Sequence, residues 1–345
     1  MKKQYSEKKK NPNTKLPIVI LMVVLVLVLG VVLLFALNGD EDTSDKNNEP
    51  STSSDDLEKW QEGIISHNGK DYIYNQDINA YLIMGIDKEG KVETAPDYQS
   101  GGQSDAMFLL VTNADDKTMS IVSINRNTMT KVETYYKNGL SAGEQTAQIC
   151  TQHGFGDGRQ LSCTRTVDAV SYLFYNLPIT GYLSMRLDAI PIMNDAIGGV
   201  EVKVLEDIDY PSKGVSLKEG ETKKLNGAEA YCYLRGREQS EFDSATARLR
   251  RQEQYIGAFS DQMTAYTQGS VSKMLDIYES IEDYVVTNID FADLASELSE
   301  YEYDDSRMYT IPGETKMGEQ FEEYHVEEDG FYDMIIDIFY QEVVE

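Results

Sequence analysis

The chain opens with two segments of opposite hydropathy. Leu16–Leu37 is an apolar run without a charged side chain, whereas residues 38–57 are polar, acidic and free of aromatic side chains. An α-helix rises about 1.5 Å per residue, so the apolar run is long enough to cross a bilayer core of about 30 Å. A cleaved signal peptide would have a shorter apolar core and a small-residue cleavage site, and neither is evident. The pattern predicts a transmembrane helix over 16–37 and a flexible linker over 38–57, followed by a folded domain over 58–345.

Short apolar runs within the folded domain predict β-strands. Ala80–Ile86, Ala106–Asn113 and Met119–Asn125 have the length and composition of buried strands. The short polar link between the last two predicts an antiparallel hairpin, and Asn68-Gly69 predicts another between residues 67 and 75. Further strands are predicted at Val200–Leu205 and Arg307–Gly313.

Apolar residues at helical spacing alternate with these strands. The predicted helices are Thr166–Leu177, Leu187–Ile197, Ala228–Leu234, Ala245–Tyr266, Met274–Val285, Phe291–Tyr301 and Phe331–Val344. Asp243 or Ser244 is expected to cap the longest of them. Because strands and helices intermingle without a repeat or a second linker, we expect a single α/β domain with three α-β-α layers and a central mixed β-sheet.

Charge orients the chain and excludes one class of partner. The net charge is -28, which argues against nucleic-acid binding, because that needs a basic face. Residues 1–15 nevertheless hold six lysines and one glutamate, and acids follow the apolar run. The positive-inside rule therefore predicts a cytoplasmic basic tail, a single span in the cell membrane and an extracellular C-terminal domain.

Leu225–Gln252 concentrates the positive charge of this acidic domain. Its arginines are Arg235, Arg237, Arg248, Arg250 and Arg251. Guanidinium groups bind phosphate oxygens well, so the cluster indicates an anion site; surface ion pairs with neighbouring acids are the alternative. Arg248 and Gln252 share one helix face, from which Arg250 points away.

Two acids and one arginine stand at the ends of predicted strands. Asp87 follows the first buried strand, Asp105 precedes the second, and Arg126 follows the third. If these ends lie together, the two carboxylates can share a magnesium ion, which prefers a few carboxylates plus phosphate oxygens. The alternatives are that each acid caps a turn and that Arg126 makes a surface ion pair.

Other chemistries have little support. Three scattered histidines make no metal motif, and no nucleophile elbow, P-loop or HExxH string is present. Three cysteines are too few for a disulfide scaffold. Cys150 and Cys163 could pair, with Cys232 buried, but sequence does not fix this.

Six strings in a fixed order carry a family resemblance. They are Gly85–Asp87, Ser104–Leu110, Ser123–Met129, Gly198–Val202, Leu225–Arg237 and Arg248–Gln252. Together they resemble the LytR-CpsA-Psr family of cell-envelope proteins, in the subtype found in clostridia and other Firmicutes. The resemblance covers a motif core of about residues 72–266, and the single N-terminal span is similar too.

The resemblance implies a magnesium-dependent phosphotransferase. Such proteins move a glycopolymer, for example teichoic acid or capsule, from undecaprenyl pyrophosphate onto peptidoglycan as a phosphodiester, and they can have a pyrophosphatase side activity. The lipid tail would enter an apolar tunnel between helices and sheet. The implied magnesium ligands are Asp87 and Asp105. The implied pyrophosphate-binding residues are Arg126, Arg235, Arg237, Arg248 and Gln252. The implied catalytic residues are Asp105, Arg126, Arg235, Arg237 and Asp243, with Asp243 as a base for the incoming hydroxyl.

Departures from the family pattern leave an alternative open. Asn125-Arg126-Asn127 stands where the family usually has proline, arginine and aspartate, and Ala245 stands where an acid is frequent. The alternative is a non-catalytic scaffold that binds the carrier lipid or the glycopolymer. Arg159 or Arg165 is a further candidate for a phosphate contact.

Overall fold

A computed structural model of the chain describes residues 63–235, 244–268, 270–290, 301, 307–319 and 321–344. The predicted basic tail, span and linker lie outside the described residues. No helix among those that are described combines the length and the apolar character that crossing a bilayer requires.

The described residues form strands and helices in alternation. The strands are β1 (Ile64–His67), β2 (Lys70–Tyr74), β3 (Ile78–Ile86), β4 (Ser104–Asn113), β5 (Thr118–Ile124), β6 (Met129–Tyr135), β7 (Ser141–Gln148), β8 (Gly181–Arg186), β9 (Val200–Lys203), β10 (Ile208–Tyr210), β11 (Val215–Leu217), β12 (Thr222–Leu225), β13 (Val285–Thr287), β14 (Met308–Thr310), β15 (Gly313–Met317), β16 (Glu322–Val326) and β17 (Tyr340–Glu342). The α-helices are α1 (Gln160–Leu173), α2 (Ala189–Ala196), α3 (Gly227–Arg235), α4 (Ser244–Thr267), α5 (Val271–Glu279) and α6 (Glu328–Phe339).

A six-stranded mixed sheet occupies the centre, in the order β13-β8-β3-β4-β5-β14. β3, β4 and β5 pair antiparallel, while β8 and β14 run parallel to their inner neighbours β3 and β5. The hairpin predicted for the second and third apolar runs is therefore confirmed. Smaller sheets surround this one, including the hairpins β6-β7 and β15-β16 and the sheet β1-β2-β17.

Both faces of the central sheet are buried, which confirms the three-layer prediction. Along β4, Phe108 and Leu110 join a core with α2, α3 and α4, while Met107 and Leu109 join a second core with α1 and α6. Side chains alternate between the two faces of a strand, so a continuous apolar run fills both cores.

Three helix predictions need correction at their ends. The helix predicted over Thr166–Leu177 is α1, which begins at Gln160 because Asp157 Oδ1 accepts the N–H groups of Arg159 and Ser162 at 2.7 and 3.2 Å. The helix predicted over Met274–Val285 ends at Glu279, after which the chain joins the sheet edge as β13.

The C-terminal helix is also shorter than predicted. α6 ends at Phe339, and the following residues form β17, which pairs with β2 from Tyr340 opposite Tyr74 to Glu342 opposite Tyr72. The edge of β2 satisfies the backbone of β17, a long-range contact that apolar spacing does not reveal. The helix predicted over Phe291–Tyr301 lies outside the described residues, except for Tyr301.

The cysteine pairing considered from the sequence is absent. Cys150, Cys163 and Cys232 are buried free thiols. Cys150 Sγ lies 3.1 Å from Arg126 Nη2, and Cys163 Sγ lies 3.9 Å from His153 Nε2.

Candidate functional site: an arginine-carboxylate cavity

Asp105 lies between two arginines that come from distant parts of the chain. Its Oδ1 is 3.0 Å from Arg126 Nη1, and its Oδ2 accepts a hydrogen bond from Arg248 Nη1 at 3.1 Å. The three side chains are only 15%, 12% and 5% exposed, respectively. Low exposure strengthens such charge pairs and keeps water from screening them. The start of β4, the end of β5 and the first turns of α4 therefore meet at one point.

Asp87 is joined to this cluster through Gln103. The Gln103 N–H donates to Asp87 Oδ1 at 2.6 Å, and the Gln103 carbonyl accepts from Asp87 N at 3.0 Å. The Gln103 side-chain oxygen accepts a hydrogen bond from Arg126 Nη2. Burial raises the pKa of Asp87 and the charge on Asp105 adds to the rise, while the Gln103 N–H opposes it. Gln103 thus positions one acid and one arginine at once.

Arg235 enters from the end of α3 and is held less tightly. Its Nη1 donates to Tyr231 Oη at 2.6 Å and to Glu89 Oε1 at 3.2 Å. The Arg235 side chain is 38% exposed, so it can exchange these partners for a ligand more readily than Arg248 can.

These groups line one cavity of about 440 Å³, here called the arginine cavity. Its walls are formed by Asp87, Gln103, Asp105, Arg126, Tyr210, Arg235 and Arg248. Cationic forks with two nearby carboxylates suit a phosphate-bearing anion that arrives with a metal ion.

An apolar cavity adjoins the arginine cavity along α4. Its lining includes Leu234, which precedes Arg235, and Gln252, about one helical turn after Arg248, and it continues between sheet and helices to Phe259. From Arg248 to Phe259 the helix axis advances by about 16 Å. Apolar walls next to a polar cavity can hold a molecule with a charged head and a long hydrocarbon tail.

The donor set at the carboxylates fits a magnesium ion completed by substrate. No group of three or more His, Cys, Asp or Glu side chains gathers within the described part of the chain. Magnesium, however, is commonly held by one or two carboxylates plus phosphate oxygens and water. Asp105 Oδ1 is buried and makes no hydrogen bond among the described residues, despite its closeness to Arg126. That oxygen, with Asp87 nearby, is available to a hard cation.

Comparison with known proteins identifies the family. The profile described as the LytR_cpsA_psr family matches residues 34–335, most of the chain. The chain belongs to the LytR-CpsA-Psr family. The resemblance inferred from the six strings is therefore confirmed.

Relatives that are named for a function are moderately similar in sequence. Over 222 residues the LytR-CpsA-Psr chain is 28% identical to the polyisoprenyl-teichoic acid–peptidoglycan teichoic acid transferase TagU of Bacillus licheniformis, covering 64% of this chain and 63% of that protein. It is 29% identical over 216 residues to the enzyme of the same description, TagV, of Bacillus subtilis, covering 60% of this chain and 49% of that protein. The chain thus spans about half to just under two thirds of the length of these relatives.

The fold of this LytR-CpsA-Psr protein is similar to solved structures. The crystal structure of B. subtilis TagV superposes with a TM-score of 0.57 at 22% identity, covering 76% of this chain and 96% of that chain. At this identity the likeness shows the fold, an α/β domain with a central mixed sheet.

The site residues predicted from the sequence fall into three groups. Asp87, Asp105, Arg126, Arg235 and Arg248 meet in the arginine cavity. Gln252 lines the apolar cavity instead, where its amide donates to Leu234 O at 3.4 Å. Arg237 and Asp243 lie outside the described residues.

Other arginines of the LytR-CpsA-Psr chain have separate roles. Arg165 donates to Phe155 O at 2.7 Å and stacks on Tyr135, and neither it nor Arg159 lines the arginine cavity. Arg251 is fully buried, 2.6 Å from Glu206, and Arg250 is exposed, so both avoid the cavity.

Sequence reasoning missed Gln103 and Tyr210. Gln103 is opposite Asp87 because β3 and β4 pair with Ile86 opposite Ser104. Pairing of the first two apolar runs was not predicted from the sequence, so Gln103 could not be placed opposite Asp87. Tyr210 ends a short strand of the β10-β11 hairpin, and no local pattern connects it with the arginines.

Proposed function

We propose that this protein is a phosphotransferase that moves a glycopolymer from an undecaprenyl-pyrophosphate carrier onto a peptidoglycan hydroxyl, forming a phosphodiester. The observation that carries the proposal is that Asp105 is held between Arg126 and Arg248, and that an apolar cavity lies further along α4, the helix of Arg248. A pyrophosphate with a hydrocarbon tail needs both surroundings at once. The names of the relatives, polyisoprenyl-teichoic acid–peptidoglycan teichoic acid transferases, support the same donor and acceptor.

In this proposal the arginines exchange one anion for another. An incoming pyrophosphate takes the guanidiniums of Arg126 and Arg248 as partners, and Asp105 is thereby released from its ion pairs. Arg235 turns from Glu89 toward the same phosphates. Bidentate guanidinium contacts fix the orientation of the phosphate and stabilise the charge that develops during transfer.

Asp87 and Asp105 are the residues that would hold magnesium, whose chemistry is to neutralise phosphate charge. Phosphoryl transfer depends mainly on positioning and charge stabilisation, so this chain needs no covalent nucleophile of its own. Gln103 fixes the positions of Asp87 and Arg126 relative to each other. Arg237 stays a predicted pyrophosphate-binding residue, and Asp243 stays the predicted base for the incoming hydroxyl. With water as the acceptor, the same site would act as a pyrophosphatase.

The apolar cavity is proposed to hold the prenyl tail, and its dry walls would exclude water from the leaving side. We also propose that the domain works outside the cell, anchored by a single span over residues 16–37 with the N-terminus inside. Teichoic acid is the polymer that the relatives' names suggest, and capsule is a further candidate.

The test compares variants of two arginines of the site with a variant of an exposed arginine on α4. The full-length protein in detergent, given a polyprenyl-pyrophosphate-linked oligosaccharide and magnesium, should release the polyprenyl phosphate. Arg126→Ala and Arg248→Ala should each slow this release by about 100-fold or more, because each removes a donor aimed at the developing charge. Arg250→Ala is the matched control, since Arg250 is exposed on α4 and should leave the rate unchanged. Chelation of the metal should abolish release, and magnesium should restore it.

A non-catalytic scaffold makes a different prediction in the same assay. It would bind the pyrophosphate lipid through the same arginines but release nothing, with magnesium present. Equal rates for Arg248→Ala and Arg250→Ala would refute the assignment of the site.

A further inference from the structure

A second cavity opens from the arginine cavity and has a different chemistry. It measures about 660 Å³, and we call it the polar cavity. It lies between the loop after β3 and the 3-10 helix Ile149–Gly154, and it shares Asp87 and Gln103 with the arginine cavity. The remaining lining includes Lys88, Ser100 and Phe155. The proposed transfer does not yet use this space.

The polar cavity has a rigid wall. His153 Nδ1 donates to Gly102 O at 3.0 Å, and Gly101 N donates to Gly154 O at 3.2 Å. A Cβ at Gly101 would lie 2.5 Å from His153 O, so only glycine allows this approach of loop and 3-10 helix. The cavity is therefore preformed, as most small-molecule sites are.

The lining suits a sugar better than a lipid or a phosphate. Two hydroxyls and two side-chain amides line it and keep hydrogen-bonding capacity beside their existing protein partners, the ammonium group of Lys88 adds donors, and the half-buried Phe155 adds an apolar residue for the face of a sugar ring. No arginine is among the residues that line it, in contrast with the neighbouring arginine cavity. Its volume lies within the usual range for ligand sites, about 300–1,000 Å³.

The two flanking cavities lie toward opposite faces of the central sheet. The apolar cavity is lined by Phe108, Leu110 and Ile121, which belong to the core with α2, α3 and α4. The polar cavity adjoins the 3-10 helix whose Ile149 and Cys150 belong to the other core. The arginine cavity is between them, at the ends of the strands.

This arrangement matches the directions that phosphoryl transfer requires. The attacking and leaving oxygens are roughly in line, on opposite sides of the phosphorus. If the prenyl tail occupies the apolar cavity, the leaving phosphate faces that side, and the attacking hydroxyl must come from the other. The polar cavity is on that side.

We propose that the polar cavity binds the acceptor, a glycan strand that presents a sugar hydroxyl to the arginine cavity, with Phe155 packed against the sugar ring. This rests on the proposed function. The hydroxyl oxygen forms a bond to the phosphorus that carries the glycopolymer, and the bond from that phosphorus to the bridging oxygen breaks. The polyprenyl phosphate leaves with the electron pair, and the hydroxyl proton passes to a base, for which Asp243 is the residue predicted from the sequence.

Binding of the acceptor alone tests the proposal without any donor turnover. Soluble oligosaccharides released from peptidoglycan are titrated into the full-length protein by calorimetry. Phe155→Ala and Lys88→Met should each weaken the affinity by about tenfold, as removal of a central contact does. Phe321→Ala is the matched control, because Phe321 is an exposed aromatic residue, 66% accessible, that does not line the polar cavity. Lys88→Met keeps the aliphatic stem, so it provides a second variant if Phe155→Ala folds poorly.

The outcomes separate this inference from the proposed function. Equal affinities for wild type, Phe155→Ala and Lys88→Met, or no binding by the wild type, would overturn the acceptor site even if donor turnover is found. Acceptor binding that depends on Phe155, without donor turnover in the wild type, would support the cavity assignment and refute the transferase. In the transfer assay, the Phe155→Ala defect should appear in the KM for the acceptor.

Discussion

Asn127 shows how one side chain can change meaning once its neighbours are known. It stands where the family usually has an aspartate, which from the sequence alone suggests a weakened site. In the structure its Nδ2 donates to Glu322 Oε2 at 3.4 Å, and its Oδ1 accepts from Gln148 Nε2 at 3.1 Å. A carboxylate is thus already present beside this position, supplied by β16.

Asn127→Asp should therefore destabilise the protein. Both side chains are buried, and two carboxylates in contact cannot both stay charged without a large cost. We expect the free energy of unfolding to fall by about 2 kcal/mol. The double variant Asn127→Asp with Glu322→Gln exchanges acid and amide and should recover most of that loss. Denaturant unfolding of the wild type and the two variants measures both changes.

Two results would contradict this account of Asn127. One is an Asn127→Asp protein as stable as the wild type, and the other is a double variant no better than the single one. A gain of donor turnover in Asn127→Asp would instead favour the scaffold alternative, because it would mean that the missing acid limits activity.

His153 should make stability depend on pH. Burial lowers the pKa of His153 to about 4, so the folded protein keeps it neutral while the unfolded chain takes up a proton near pH 6.5. The unfolded state then binds more protons between pH 6.5 and about 4. Stability falls through that window as pH is lowered, by about 1.4 kcal/mol per pH unit from this group.

His153→Asn should flatten that dependence. The asparagine amide can still donate to Gly102 O but does not titrate. Thermal unfolding between pH 7 and pH 4 would measure the difference from wild type, with the shared loss from carboxylates cancelling in the comparison. Parallel curves for the two proteins would contradict the assignment.

At the scale of helices and strands, residues at strand ends could be placed from the sequence, whereas residues brought in by tertiary packing could not. Asp87, Asp105 and Arg126 could be placed from the apolar runs that they flank, because neighbouring strand ends meet. The place of Tyr210 in the arginine cavity and the contact of Glu322 with Asn127 could not, since each residue sits on a short hairpin that only tertiary packing positions. For the same reason the residues of β17 could be read as a continuing helix.

α4 connects the arginine cavity with the apolar cavity. The length of the apolar cavity should set the preferred length of the prenyl tail. Ile256 lines the apolar cavity two turns beyond Arg248. Ile256→Trp should narrow the cavity without touching the arginines. We expect kcat/KM to fall about tenfold for an undecaprenyl-length carrier and much less for a farnesyl-length one. A head-to-head comparison of the two carriers measures this, and an equal loss for both would argue against a tail in this cavity.

At the scale of the whole molecule, the strongest sequence pattern lies outside the described residues. The apolar run over residues 16–37 predicts that the full chain stays with membranes after an alkaline carbonate wash. A variant that begins at residue 58 should be released. Protease added to intact cells should cut the C-terminal domain if it is extracellular. Release of the full chain by the wash would refute the predicted span.

The fold class was predictable because its signals are global. Apolar runs that fill both faces of a strand require helices on each side, so three layers follow from pattern alone. Strand order did not follow, because the parallel contacts of β8 with β3 and of β14 with β5 join segments about 100 or more residues apart.

The small sheet β1-β2-β17 has a practical consequence. β1 and β17 border the same strand, β2, and Val343 N donates to Asp71 O at 2.8 Å. β1 and β17 lie on either side of β2, about 10 Å apart, and both run antiparallel to it, so a linker that also spans the length of β1 can join residue 344 to residue 63. New termini could then be cut at the exposed turn around Gly220. Circular permutation could therefore move the attachment point of the predicted membrane anchor to another face of the domain.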